Sequence, residues 1–400
     1  MLISVSPIQL LWRKLTDPLV LRGWTWRSIF QAVLQHLRTP FSVLYRRFFF
    51  GPPVASWSFA FEVGVEQLRG LNAAVPRHLD SLHEASQLCL NCASSNPLCD
   101  DLDIGPLKAY WMFPAGRRRR MGKGGKVVLY LHDGGFVGGS ARGILEMGFI
   151  EGLISSSGNC SVLAVDYSLS PSCRFPVSLN ECLCSFTWLL RSPKAMIFDE
   201  VTKKERNVRP SEVCVLGCGS GGALAAAMIS SLCLRYSVID GEMKFTPLLK
   251  DDSHDTIEKR RKPPMPASCI LLSPWVDLKS SWPSVQENAK FDIIDEKVFA
   301  LCVEAYVDTQ RRGFLLAHPF VSAVYGTFKD APPMLVLCGG KEILRDQIHT
   351  FVETVTDDGG KVQLITEPDM VYCFPILGSI LPEKVKRRTL DTIAAFIEAT

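Results

Sequence analysis

The chain has 400 residues, 47% of them apolar and 21% charged, with a formal net charge of +3. That composition excludes disorder, collagen and coiled coil, and so small a net charge gives no case for nucleic acid as a partner. The length suits one large α/β domain with an added cap. The chain holds 14 cysteines but seven histidines, at 36, 78, 83, 132, 254, 318 and 349, and any hydrolytic base must come from that short list.

Residues 1–60 read as a basic, aromatic extension ahead of a domain spanning 61–400. Residues 1–50 carry seven Lys/Arg, among them Arg38, Arg46 and Arg47, and one acid, Asp17. Trp12, Trp24, Trp26, Phe30 and Phe48 to Phe50 lie between them. The pattern predicts cap helices over the domain with their arginines in solvent, or an interfacial membrane helix. No run of 18 apolar residues exists, so no transmembrane helix is expected. No cleavage-like site follows the short apolar start, which argues against a secretory signal. These readings put the protein in the cytoplasm or peripherally on an intracellular membrane. Cys89 and Cys92 form one CxxC with Cys99 behind it. No second pair accompanies them, so neither metal nor other cofactor is expected. Most other cysteines sit in apolar runs, as core filler in a reducing compartment.

From residue 107 the chain becomes regular. Leu107 to Phe113 alternates like a strand. Arg117 to Arg120 then reads as a solvated turn among glycines. Lys126 to Leu131, Leu163 to Val165, Val213 to Leu216, Ser268 to Leu272, Met334 to Leu337 and Val362 to Thr366 are short apolar strands. Helical patterns run through Leu179 to Leu190, Gly221 to Leu232 and Lys384 to Ile397. Strands alternating with helices predict an α/β protein with a mostly parallel sheet flanked by helices. Two charged, proline-bearing stretches, near 197–210 and 245–266, read as surface insertions.

Two glycine-rich turns carry the chemistry. His132-Asp133-Gly134-Gly135-Phe136 follows the strand ending at Leu131. Adjacent glycines there let backbone N–H groups point into a cleft and stabilise an oxyanion. Gly217-Cys218-Gly219-Ser220-Gly221-Gly222 follows the strand ending at Leu216 and runs into an alanine-rich helix. Strand, tight turn and small-residue helix is the layout of a nucleophile elbow. Two registers fit: Gly219 at the apex between Gly217 and Gly221, or Ser220 between Cys218 and Gly222.

Together these segments resemble the α/β-hydrolase fold, and in particular its hormone-sensitive-lipase and arylacetamide-deacetylase group. His132-Asp133-Gly134-Gly135 resembles the group's HGGG loop with Asp in place of one Gly. Asp166-Tyr167-Ser168-Leu169-Ser170-Pro171 with Phe175-Pro176, and Ser273-Pro274-Trp275-Val276-Asp277-Leu278, resemble two further motifs. Gly340 to Asp346 resembles the loop carrying the catalytic acid, and Pro368 to Phe374 the loop carrying the catalytic histidine. The resemblance spans roughly residues 105–400 and implies a cleft for a small apolar or acyl-ester-like ligand.

Carried over residue by residue, the resemblance puts Gly219 at the nucleophile position, Glu342 at the acid and Tyr372 at the base. Gly134, Gly135 and Ser220 fall at the oxyanion positions, and His132, Gly217 and Gly221 at structural ones. A phenol with a pKa near 10 cannot take a serine proton as imidazole does. Neither His132, His318 nor His349 is placed to replace it. Three readings stay open: an impaired hydrolase that binds a small apolar ligand or a partner, an ester hydrolase using a shifted Ser220, and a non-hydrolytic enzyme using Tyr372.

Overall fold

The structure is a computed structural model describing residues 26–74, 99–104, 107–234, 237–239, 242–244, 264–279, 281–308, 310 and 312–400. Residues 1–25 of the extension, Cys89 and Cys92, and nearly all of the 245–266 insertion lie outside the described residues.

The seven predicted strands assemble into one sheet with an eighth, Cys99–Ile104, at its edge. In chain order they are β1 (Cys99–Ile104), β2 (Leu107–Met112), β3 (Lys126–Leu131), β4 (Cys160–Asp166), β5 (Val213–Cys218), β6 (Ser268–Leu272), β7 (Met334–Gly339) and β8 (Val362–Glu367). Their spatial order is β1-β2-β4-β3-β5-β6-β7-β8. β2 runs antiparallel to its neighbours β1 and β4, and every pairing from β4 to β8 is parallel. Parallel strands covered on both faces read as unbroken apolar runs. β5 and β6 accordingly have no exposed residue, and Val127 to Leu131 of β3 are all fully buried.

Helices cover the sheet. They are α3 (Ile144–Ser157), α4 (Val177–Arg191), α5 (Gly219–Cys233), α6 (Pro283–Asn288), α7 (Glu296–Tyr306), α8 (Arg345–Asp357) and α9 (Glu383–Ala399), preceded by α1 (Trp26–Phe50) and α2 (Phe59–Ala74). α5 begins at Gly219, two residues earlier than its sequence pattern suggests, and is buried from Gly219 to Leu232. Its Gly and Ala residues let it lie close against the sheet below the elbow.

α1 and α2 form a hairpin with an unusual interface. Pro40 lacks an N–H and sits inside α1, so the His36 carbonyl loses its helical donor. Gln67 of α2 donates to that carbonyl instead, at 3.4 Å. The arginines expected in solvent turn inward. Arg46 and Arg47 both bond the fully buried carboxylate of Glu62, and Arg46 also reaches Glu66. A buried carboxylate needs such partners, and these two guanidiniums supply them. The hairpin is fixed to the domain at two points. Trp57 donates its indole N–H to the Asp369 carbonyl at 2.6 Å, and Arg69 bonds the Lys290 carbonyl at 2.6 Å.

The 197–210 stretch is more than a surface insertion. Ile197–Asp199 and Lys204–Arg206 form a small sheet with Arg120–Met121, so the end of the arginine run is a strand edge rather than a solvated turn. Ile197 and Val208 are buried in it, and Arg206 bridges Asp199 and Glu212.

Candidate active site

The elbow lies between β5 and α5 with Gly219 at its apex. Gly219 has a φ of +53°, the left-handed conformation that a strand-to-helix turn imposes there. Its flanking glycines are required by contact. A Cβ on Gly217 would lie 2.2 Å from the Gly221 carbonyl oxygen, and one on Gly221 would lie 2.2 Å from the Leu131 carbonyl oxygen. Ser220 is fully buried in the first turn of α5. Its hydroxyl is 3.2 Å from Asp133 Oδ1 and 3.4 Å from the Tyr167 hydroxyl.

The glycine loop after β3 reaches over this turn. Gly134 has a φ of +141°, and a Cβ there would strike the Gly138 carbonyl at 1.9 Å. His132 is buried, stacks on Tyr167 with ring centroids 4.2 Å apart, and turns Nδ1 to the Asp133 carbonyl at 2.7 Å. Burial lowers its pKa, so the ring stays neutral and acts as a wedge under the loop.

Asp133 is the residue whose role the sequence does not reveal. Its Oδ1 accepts the Ser220 backbone N–H at 2.9 Å, and its Oδ2 accepts the Tyr372 hydroxyl at 2.8 Å. The amide following the apex is the donor that an elbow offers to an oxyanion. In this chain that donor is taken by the protein's own carboxylate. The two side chains also fill the nucleophile's place: a Cβ on Gly219 would lie 2.0 Å from the Tyr372 hydroxyl and 2.1 Å from Asp133 Oδ1. An acid standing where the group has glycine was the available signal, but its reach to the elbow is a tertiary fact.

Tyr372 is buried, and its phenol pKa is held well above the ordinary value, by desolvation first and then by the Asp133 charge. It is therefore a donor and not a base. Glu342 does not orient it. The Glu342 carboxylate accepts the Ser273 hydroxyl and the Gly339 amide, both at 2.7 Å, and its second oxygen has no partner. Burial, with Asp292 nearby, pushes its pKa up to about 8. Asp292 is the other residue the sequence did not flag. It is buried, accepts the amides of Ile293, Ile343 and Tyr372, and so ties the acid loop to the loop bearing Tyr372. Burial pushes its pKa up to about 7.

The other candidates stand apart from this cluster or are chemically quiet. His349 Nε2 faces Thr366 at 3.0 Å, and His318 packs among Phe175, Phe314 and Phe320. Cys218 lies on the strand side with its sulfur 2.7 Å from that of Cys373. Burial pushes the Cys218 thiol up to about 11, which keeps it from acting as a thiolate. Above the elbow, Phe136 stacks on Tyr306 at 3.9 Å and Trp275 on Phe299 at 4.2 Å, with all four rings buried. Asp133, Gly134 and Gly135 are partly exposed and form the open edge of the site. Among the described residues, no group of three His, Cys, Asp or Glu side chains is arranged to hold a metal ion.

Residues 128–376 match a family described as alpha/beta hydrolase fold. The chain belongs to the alpha/beta hydrolase family. An acetyl-hydrolase of Streptomyces hygroscopicus is 23% identical over 302 residues, covering 75% of this chain and 83% of its own. Lipase 2 of Moraxella sp. is 24% identical over 240 residues, covering 60% of this chain and 52% of its own. Among solved structures, an esterase from the bacterial hormone-sensitive lipase family superposes with a TM-score of 0.64 at 23% identity, covering 86% of this chain and 99% of that one. The fold of this alpha/beta hydrolase is thus the one its sequence motifs resemble. Its elbow glycines and its loop glycines shape the site, and the Asp133 and Tyr372 side chains fill the space at the Gly219 apex.

Proposed function

We propose that this alpha/beta hydrolase is impaired in serine-dependent ester hydrolysis and that its site binds a small ligand or a partner instead. The observation that carries this reading is the occupation of the Gly219 apex by Asp133 and Tyr372. An ester carbonyl entering the site would meet a carboxylate on the amide meant for its oxyanion. Like charge there raises the barrier that an oxyanion hole lowers. A ligand with an apolar body and one hydrogen-bond donor suits the partly exposed Asp133 edge better than a simple ester. Against a shifted Ser220 stand its burial and the lack of an imidazole at its hydroxyl, whose neighbours are Asp133 and Tyr167. Loss of triad members lowers rates by several orders of magnitude.

The test is hydrolysis of p-nitrophenyl butyrate together with a fluorophosphonate probe. The expected result is turnover close to the buffer rate and no label on Ser220. Ordinary esterase turnover that Ser220→Ala abolishes overturns the reading. A second reading is favoured by the Tyr372–Asp133 hydrogen bond, which sets a phenol donor against a carboxylate acceptor at one point. Such a pair suits proton transfer in a cyclase- or lyase-like reaction. Its mark is turnover of a metabolite that Tyr372→Phe removes and Ser220→Ala spares.

A further inference from the structure

α1 is built inside out. Its inward side carries polar groups: His36 and Thr39 are buried against the hairpin, and Arg46 and Arg47 reach Glu62. Over the described side chains, residues 34–50, Val43 is the one fully inward large apolar residue among them. Its outward side is apolar. Leu37, Phe41, Leu44, Tyr45 and Phe48 fall at helical spacing on one stripe, and Phe41 and Phe48 are 74% and 82% exposed. Phe49 and Phe50 extend the patch, and the Phe49 ring lies 4.7 Å from that of Tyr45 and 5.0 Å from that of Phe48. In water a helix puts its apolar stripe toward the core and its charges outward. The reverse order is stable when the outer medium is itself apolar. A cluster of exposed aromatics on a water-facing helix marks an interaction surface.

The same helix indicates what that surface meets. From Pro18 to Phe61 the chain has no acidic residue, while Arg38 stands exposed beside the apolar stripe. The two inner arginines have their counter-ions on α2, so their charge is withdrawn from the outer face. The result is a helix face of exposed aromatic side chains that include a tyrosine, with the exposed Arg38 beside them. That combination fits the headgroup boundary of a bilayer. No helix among the described residues is long and apolar enough to cross one. The ion pairs to Glu62 and the Trp57–Asp369 bond hold the stripe in a fixed orientation relative to the hydrolase domain.

We infer that the outward face of α1 docks this protein on an anionic lipid surface, lying in the interface plane with Phe41, Phe48 and Phe49 inserted among the acyl chains. The test is flotation of the full chain with two kinds of vesicle, phosphatidylcholine alone and an equimolar mixture with phosphatidylserine. The wild type is expected to float with both and more strongly with the mixture. The variant Phe41→Ser/Phe48→Ser/Phe49→Ser is expected to lose about tenfold or more in partition at an unchanged melting temperature, because three exposed rings no longer leave water. Arg38→Glu removes the preference for the anionic mixture and keeps binding to phosphatidylcholine, a second readout that spares the apolar stripe. The inference is overturned if the wild type floats with neither vesicle, which is the outcome when another part of the chain covers the stripe. Equal flotation of wild type and triple variant overturns it too. So does a dimer, seen by gel filtration without vesicles, that the triple variant dissolves while flotation is unaffected.

Discussion

Among the described residues, Glu342 and Glu62 expose no surface at all, and the protein keeps them in opposite ways. Glu342, in the loop after β7, accepts one hydroxyl and one backbone amide and leaves an oxygen without a partner. Its pKa rises to about 8, so it is carried into the fold as a neutral acid near neutral pH. Glu62, in the α1–α2 hairpin, is wrapped by the guanidiniums of Arg46 and Arg47. The hydrolase core thus tolerates a buried carboxyl by leaving it protonated, and the hairpin by pairing it. The hairpin keeps its charges because they hold an apolar face outward.

The largest effect expected from breaking this arrangement lies in the scaffold common to both. Gly221→Val drives a side chain into the Leu131 and His132 carbonyls. Backbone cannot yield there, so a loss of more than about 4 kcal/mol and failure to fold are expected, read by circular dichroism. Next comes pH. Glu342 has a folded pKa raised above its unfolded value of 4.5, so the folded state holds the proton more tightly. Stability contributed by that proton is present below about pH 4.5 and is lost as pH rises toward 8. Asp292, raised to about 7, adds to the same slope. Glu342→Gln can keep both hydrogen bonds with its amide oxygen and place its NH2 at the empty position. It is expected to flatten part of the fall in melting temperature between pH 5 and pH 8, by up to several kcal/mol of slope removed.

Smaller effects separate the two regions. Asp133→Ala leaves the Ser220 amide and the Tyr372 hydroxyl buried without their acceptor, and should cost about 2 kcal/mol in a thermal or denaturant melt. Glu62→Ala should cost about 1–2 kcal/mol, because Arg46 and Arg47 are partly exposed and can turn to water. Its effect should stay local, as faster protease cleavage in α1 with an unchanged core transition. A core that melted with the hairpin would erase the distinction drawn here.

Much of the frame was legible from periodicity. All the apolar runs read as strands are strands, because parallel strands covered on both faces leave a compositional trace that no tertiary contact is needed to see. The elbow was legible as two alternatives, and the crowding at Gly217 and Gly221 sets Gly219 at the apex. Asp133 was visible only as a departure from a glycine loop, since the two donors it accepts from lie 87 and 239 residues away. Asp292 gave no signal at all, because a buried carboxyl satisfied by amides needs no motif around it. Arg46 and Arg47 were read as solvent-facing because their sequence neighbours are aromatic, while their partners arrive from the next helix. Arg120 was read as part of a turn because its strand partner, Phe198, is distant in sequence.

The crowding at Gly219 fixes an order of events. A serine introduced there alone meets the Tyr372 hydroxyl and the Asp133 carboxylate before its own side chain extends past Cβ. A side chain at Gly219 can therefore only come last: Asp133 and Tyr372, which a Cβ there would meet at 2.1 and 2.0 Å, must both give way before it. The apex thus bars side chains at its own position, and no single substitution at Gly219 can place one there without moving Asp133 and Tyr372.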